Sequence, residues 1–189
     1  MKGVGAVRII AGTARGTKLD TIEGLNTRPT TDRVKENIFN MIQFEITGER
    51  VLDLFAGSGA LGIEAASRGA SEVILVESSV KCAKIIQSNI DKTRMNDKIR
   101  LFMKPVEQVL TSYKDQEPFH IIFMDPPYDK GFVIPTIESI SDSNLLDETG
   151  MIVLEHRSDE VIPNDIKDFE LSRTKKYGNT AISIFRRKS

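Results

Sequence analysis

The tetrapeptide Asp125-Pro126-Pro127-Tyr128 closes an apolar run (Phe119, Ile121, Ile122, Phe123, Met124) and carries three chemically distinct groups. An apolar run that stops at an acid and two prolines reads as a buried parallel strand leaving its sheet. Neither proline can sit inside a central strand, because each lacks the N–H that the ladder needs. The residue before each proline is also pushed out of the helical region, so the loop leaves the strand extended and stiff. A carboxylate (Asp125), a backbone carbonyl (Pro126) and a ring (Tyr128), stiffened by Pro127, are thus expected at the carboxyl edge of a sheet, where open α/β sheets bind ligands. A flat ring beside two acceptors suits a planar group carrying an NH₂. The competing reading is a strand-terminating turn with a surface tyrosine.

A second constellation lies upstream. Val51-Leu52-Asp53-Leu54-Phe55 is a short apolar strand, followed directly by Ala56-Gly57-Ser58-Gly59-Ala60-Leu61-Gly62 and a helix-like stretch. Glycines there let the backbone approach a ligand and present helix N-terminal N–H groups to it. The spacing is the G-x-G-x-x-G of dinucleotide-binding folds, and Glu77 ends the next apolar strand about 20 residues on, where a ribose hydroxyl is held. A nucleoside-containing cofactor follows, with NAD among the candidates. Asp53 argues for another: ahead of the glycines it would repel a diphosphate and attract an α-ammonium group. No other residue is placed for hydride chemistry.

Taken together, Asp53-Leu-Phe-Ala-Gly-Ser-Gly59, Glu77 and Asp125-Pro-Pro-Tyr128 resemble the S-adenosylmethionine-dependent amino-methyltransferases. Arg8-Ile-Ile-Ala-Gly12 with Arg15, Gly16 and Leu19, the segment Thr27-Arg-Pro-Thr-Thr-Asp-Arg-Val-Lys-Glu-Asn-Ile-Phe39, and Lys176-Tyr-Gly-Asn-Thr180 are similar to one branch, the bacterial RsmD family. The resemblance implies S-adenosyl-L-methionine as cofactor and the N2 amine of a guanine in 16S ribosomal RNA as target, guanine 966 in the family, within a small-subunit ribonucleoprotein. It also implies that Asp53, Phe55, Gly57 and Gly59 surround the cofactor's methionine part, that Ala56 and Ser58 belong to the same cofactor-binding loop, and that Glu77 holds its ribose. Many methyltransferases place an acid after the third strand to hold the adenine. Here Met103-Lys104-Pro105-Val106 stands instead, so backbone near Val106 is the expected adenine contact.

Methyl transfer from a sulfonium to an exocyclic amine is an in-line displacement, and the protein chiefly has to place nitrogen against methyl. Asp125 and the Pro126 carbonyl would hold both N–H bonds, and Tyr128 would stack on a base that is unpaired or flipped out. A strong general base is not required, since the proton turns acidic once nitrogen is alkylated. The alternatives are an amino-methyltransferase acting on DNA adenine or protein glutamine, a non-catalytic RNA-binding assembly factor that kept the fold, and a dehydrogenase. Protein-modifying relatives usually begin the tetrapeptide with Asn, and DNA enzymes carry a sizeable recognition domain for which 189 residues leave no room.

The net charge of −1 conceals an asymmetry. Residues 1–35 carry +4, residues 173–189 carry +6 with no acid, and the remainder carries −11. Such a split points to a polyanion-binding face built from the termini. Arg8, Arg15, Lys18 and Arg33 are the candidate RNA contacts, Arg33 alternatively reaching the cofactor carboxylate. Solvated surface charge is the competing reading.

Length and 40% hydrophobic content fit one domain with a full core; the resemblance implies a methyltransferase domain, with residues 1–47 a hairpin–helix extension and 48–189 the catalytic core. A monomer in a reducing cytoplasm is expected. Cys82 is the only cysteine, no apolar run has the roughly 18 residues of a membrane span, and no signal peptide is expected. His120 and His156 are too separated for a metal site and read as structural.

These groups need a scaffold that brings several strand ends together. Residues 7–11 and 17–19 predict a β-hairpin, and Thr30 or Thr31 a helix cap for a helix through about Phe44. After Gly48, strands near 50–55, 73–77, 98–103, 119–124 and 150–155 alternate with helices near 60–68, 79–94, 106–113 and 131–141. The alternation predicts an α/β fold, a mostly parallel sheet with helices on both faces, and the resemblance implies that it is a Rossmann-like class I methyltransferase fold. The resemblance implies seven strands, the last antiparallel and formed by 181–185 against a strand near 168–174.

Overall fold

Short apolar runs build the centre of the sheet. In the computed structural model, which describes residues 7–21, 32–114, 116–128 and 130–188, these are β1 (Arg50–Asp53), β2 (Glu72–Val76), β3 (Ile99–Phe102) and β4 (Phe119–Met124). Helices α2 (Ala60–Ser67), α3 (Val80–Thr93) and α4 (Val106–Ser112) connect them, and α5 (Val133–Asp142) leads on to β5 (Leu146–Arg157). β6 (Asp165–Ile166), β7 (Phe169–Tyr177) and β8 (Thr180–Arg187) complete an eight-stranded sheet of order β3-β2-β1-β4-β5-β8-β7-β6. β1 to β5 are mutually parallel, and β8 runs antiparallel between β5 and β7. This is the Rossmann-like class I methyltransferase fold. The strand beyond the expected seven is the two-residue β6.

Alternate side chains of each central strand feed two cores, which is why these strands read as continuous apolar runs. Val51, Val73, Leu75, Ile121, Phe123 and Val153 pack with residues of α2, α3 and α1 (Asp32–Met41). Leu52, Ile74, Ile122, Met124 and Leu154 pack with those of α4 and α5. Predicted and observed elements agree to within a few residues along this stretch, and Ser79 caps α3 by accepting from Cys82 N at 3.4 Å.

The N-terminal hairpin is less regular than alternation suggests. Arg8 and Lys18 form a single antiparallel bridge, flanked by Ile9 N to Thr17 O at 2.9 Å and Leu19 N to Val7 O at 2.8 Å. The ladder stops because the next amides are taken elsewhere: Ile10 N and Ala11 N donate to Glu64 Oε2 and Oε1 at 2.8 and 3.0 Å. The α1 helix ends at Met41 instead of Phe44, whose ring is 91% exposed while Ile42 and Ile46 turn inward. The expected caps Thr30 and Thr31 lie outside the described residues. No described helix is long and apolar enough to cross a membrane, and the described residues hold no cluster that could bind a metal. Cys82 and His156 are buried.

Candidate active site

β1 lies between β2 and β4, where the strand order reverses, so the loops after β1 and β4 splay apart at its carboxyl end. The glycine loop follows β1, Glu77 follows β2, and Asp125-Pro126-Pro127-Tyr128 follows β4. Sequence reasoning separated these groups by 72 positions and the sheet brings them to one edge. The Phe55 and Phe132 rings, 6.0 Å between centroids and tilted 49°, join the two loops directly.

Asp53 is the last residue of β1 and is 1% exposed. Its Oδ2 accepts from Gly62 N at 3.2 Å, whereas Oδ1 is buried and has no hydrogen bond of good geometry. Burial pushes its pKa up to about 7; Glu77 adds to the rise, and the amides of Gly62 and Phe55 oppose it. Gly62 is required for packing, since a Cβ would lie 2.2 Å from Leu75 Cδ2. Gly57 differs: with φ +56 it has nothing within 4 Å of its Cβ direction, so its open side can meet a ligand.

Glu77 is half-buried and oriented by backbone, Oε2 accepting from Gly57 N at 3.0 Å and Oε1 from Ser79 N at 2.8 Å. Ala56 N donates to Val76 O and Gly59 N donates to Ala56 O, folding the loop over the end of β2. Asn89, fully buried on α3, donates to Ser58 O at 2.9 Å and Asp20 O at 3.0 Å, and accepts from Asp20 N at 2.7 Å. It clips the N-terminal segment to the glycine loop. Sequence reasoning missed Asn89, for a mid-helix asparagine carries no local sign of such a role. Val106 is the first residue of α4 and is nearly buried, while Met103 is exposed.

Across the edge, Asp125 is partly exposed, Pro126 is buried, and Pro127 and Tyr128 reach solvent. The Tyr128 hydroxyl points at Glu155 Oε1, 3.5 Å away on β5. Glu155 is 5% exposed, and nothing local to its position in the chain marks it out. A small cavity beneath the loop is lined by Pro126, Tyr128, Phe132, Glu155, His156 and Glu160 among others. His156 is held below the usual histidine range by burial, with Nε2 2.8 Å from Ser183 Oγ.

Residues 7–186 match the family model described as "Conserved hypothetical protein 95". The chain is 33% identical to the Ribosomal RNA small subunit methyltransferase D of Escherichia coli strain K12 over 189 residues, covering 99% of this chain and 93% of that one. This chain belongs to the RsmD family. A Bacillus subtilis member, YlbH, provisionally named an rRNA methyltransferase, is 37% identical over 96% of this chain and 100% of its own. The solved structure of E. coli yhhF, provisionally described as a methyltransferase, superposes with a TM-score of 0.86 at 32% identity, over 97% of this chain and 99% of that chain.

Of the basic candidates of this RsmD-family chain, Arg15 stands apart from the edge just described. Arg8 is committed to α1: its N donates to Asp32 Oδ1 at 3.1 Å and its Nε lies 3.3 Å from Oδ2. The hairpin tip docks on the last residue of α2, through Thr13 N to Ser67 O at 2.9 Å and Ala14 N to Ser67 Oγ at 3.0 Å. Arg15 therefore sits at the far end of α2 from the glycine loop, about 12 Å along an eight-residue helix. Lys18 and Arg33 are exposed.

Proposed function

We propose that the protein methylates the exocyclic N2 amine of a guanine in small-subunit ribosomal RNA, free or in an assembling particle, with S-adenosyl-L-methionine as methyl donor. The observation that carries the reading is the pairing of two acceptors, Asp125 and the Pro126 carbonyl, with a glycine loop whose buried Asp53 has one unpartnered oxygen. That oxygen suits the cofactor's α-ammonium, and the open side of Gly57 suits close approach by its methionine part. Phe55, Ala56, Ser58 and Gly59 complete that wall, Glu77 is oriented for ribose hydroxyls, and Val106 would pack near the adenine. Bound there, the cofactor supplies a methyl group on a good leaving sulfonium.

What the chain itself does is positional. Asp125 and the Pro126 carbonyl each accept one N–H of the amine, which turns the nitrogen lone pair toward the methyl. Tyr128 supports the base by stacking, worth about 1–3 kcal/mol. Once the nitrogen is alkylated its proton is acidic and passes to water or to Asp125. The name of the E. coli relative supports ribosomal RNA as the substrate class, and the Asp-Pro-Pro-Tyr edge supports a planar amine.

Incubation of the purified protein with tritiated S-adenosylmethionine and small-subunit particles from a strain lacking this gene tests the reading. Label in N2-methylguanosine, lost in Asp125→Ala while affinity for S-adenosylhomocysteine is kept, is the expected result. Label in another nucleoside, or an Asp125→Ala rate above about a tenth of wild type, overturns it; that tenfold is only about 1.4 kcal/mol.

A further inference from the structure

The C-terminal basic segment looks uniform in sequence, and the sheet divides it in two. Arg186, Arg187 and Lys188 lie at the amino edge and are engaged: Arg186 with Glu45 at 2.7 Å, Arg187 with Asn144 at 3.0 Å and Leu146 O at 2.8 Å, and Lys188 with Asp165 at 3.3 Å. Lys175 and Lys176 lie toward the other end of the same hairpin, and Arg173 lies at the middle of β7. Tyr177 pairs with Thr180, and Thr180 with Arg157 at the end of β5, so the β7–β8 turn stands at the carboxyl edge. All three side chains are exposed, and none makes an ion pair among the described residues.

The strand register places them against the candidate site. Lys175 is level with Ile182, Ile182 with Glu155, and Glu155 is one residue beyond the Met124–Leu154 pair, hence level with the start of the Asp125 loop. From β4 to β7 is three strand spacings, roughly 14 Å. Arg173 and Lys175 share the face of Ile184 and Ile182, while Lys176 points to the other face, so positive charge flanks the edge on both sides. The bulge at Ser172 and the Tyr177 hydroxyl on Met41 Sδ, 3.8 Å away, fix how this end of β7 is presented.

We infer that Arg173, Lys175 and Lys176 form a phosphate-docking surface for the RNA strand whose base enters the Asp125–Tyr128 edge. The inference rests on the proposed RNA substrate and adds where that RNA lies. The partner's chemistry follows from charge: three exposed cations with no ion pair among the described residues, Lys176 coupling at longer range to Asp159, stand beside a catalytic core that is acidic in sum and suit a polyanion at this point. A second role is open to the same residues, because lysines on an edge strand block edge-to-edge pairing between sheets. β7 is such a strand, β6 covering only Phe169 and Glu170.

The test uses the full-length triple variant Arg173→Gln, Lys175→Gln, Lys176→Gln, with Lys114→Gln, Lys188→Gln as a control at the opposite edge. Binding to protein-free 16S RNA and to small-subunit particles is measured from about 50 to 200 mM salt, with S-adenosylhomocysteine affinity and sedimentation alongside. The expected result is a salt slope about 2–3 units flatter in the triple variant, since each lost phosphate contact removes about 0.7–0.9. Cofactor affinity stays unchanged, and the control keeps the wild-type slope. A wild-type slope in the triple variant, or self-association replacing the RNA defect, overturns the surface while leaving the methyltransferase reading intact. Wild-type protein that binds neither RNA sample overturns both.

Discussion

The Tyr128 hydroxyl and Glu155 Oε1 stand 3.5 Å apart, tying the end of the Asp125–Tyr128 loop to the neighbouring strand. Burial, then the charges of Glu155 and Asp125, push the phenol up to about 12, with Thr180 opposing the rise. Tyr128 therefore stays neutral over the working pH range and cannot serve as a base, which leaves the ring as its part in the proposed reaction. Tyr128→Phe keeps kcat/KM within about threefold of wild type, whereas Tyr128→Ala loses about 5- to 150-fold, the equivalent of about 1–3 kcal/mol of stacking. Steady-state methylation of undermethylated particles distinguishes them, and a Phe variant as poor as the Ala variant would assign chemistry to the hydroxyl.

Asp53 should make cofactor affinity depend on pH. Its folded pKa, about 7, lies above the ordinary 3.8, so the folded state keeps a proton over that window and any stability gained from the group is lost as pH rises through it. An α-ammonium favours the ionised form, so binding gains what folding loses. Between pH 7.5 and pH 6 the ionised fraction falls by about eightfold, and calorimetric affinity for S-adenosylhomocysteine should fall nearly as far. Asp53→Asn should bind more weakly and show no such slope; a pH-independent wild type would contradict the role.

The parts of this edge that were legible in the sequence are those written locally. A strand that ends in Asp125 and two prolines, and a strand that ends in glycines, announce themselves because backbone geometry demands those residue types. Glu64, Lys35 and Asn89 were not legible. Each is a polar residue inside a helix whose partner lies 27 to 69 positions away in backbone, and a helical wheel reports only polarity. The basic C-terminus was misleading for a related reason: seven residues of antiparallel strand carry Arg186 to the far edge from Lys176, although a charge count sums them.

Gly12 gives a sharp test of how the N-terminal segment is docked. Its φ is +81, and a Cβ there would lie 1.8 Å from Ser67 O. Gly12→Ala should therefore cost more than the roughly 1–2 kcal/mol of a left-handed residue alone. Urea unfolding should show the loss, and Gly16→Ala, with similar φ and nothing within 4 Å, should show only the conformational part. Equal losses at the two positions would remove the docking contact from the account.

The buried ion pair between Lys35 and Glu64 should matter more to stability than any surface pair. Both side chains are fully buried, with Lys35 Nζ 3.2 Å from Glu64 Oε2 and Arg68 Nε 2.8 Å from Oε1. Lys35 also donates to the Arg8 carbonyl, and burial holds its pKa below the usual lysine range. Removing one partner of such a pair costs about 3–5 kcal/mol, because the other charge is left uncompensated. Glu64→Ala should reach that range, and pairing it with Lys35→Met should recover only part of it. Two amides, Ile10 N and Ala11 N, and the Arg68 guanidinium would still lack their acceptor. Urea denaturation of the two single variants and the double variant measures this, and full recovery in the double variant would mean that the carboxylate serves Lys35 alone and does not anchor the hairpin.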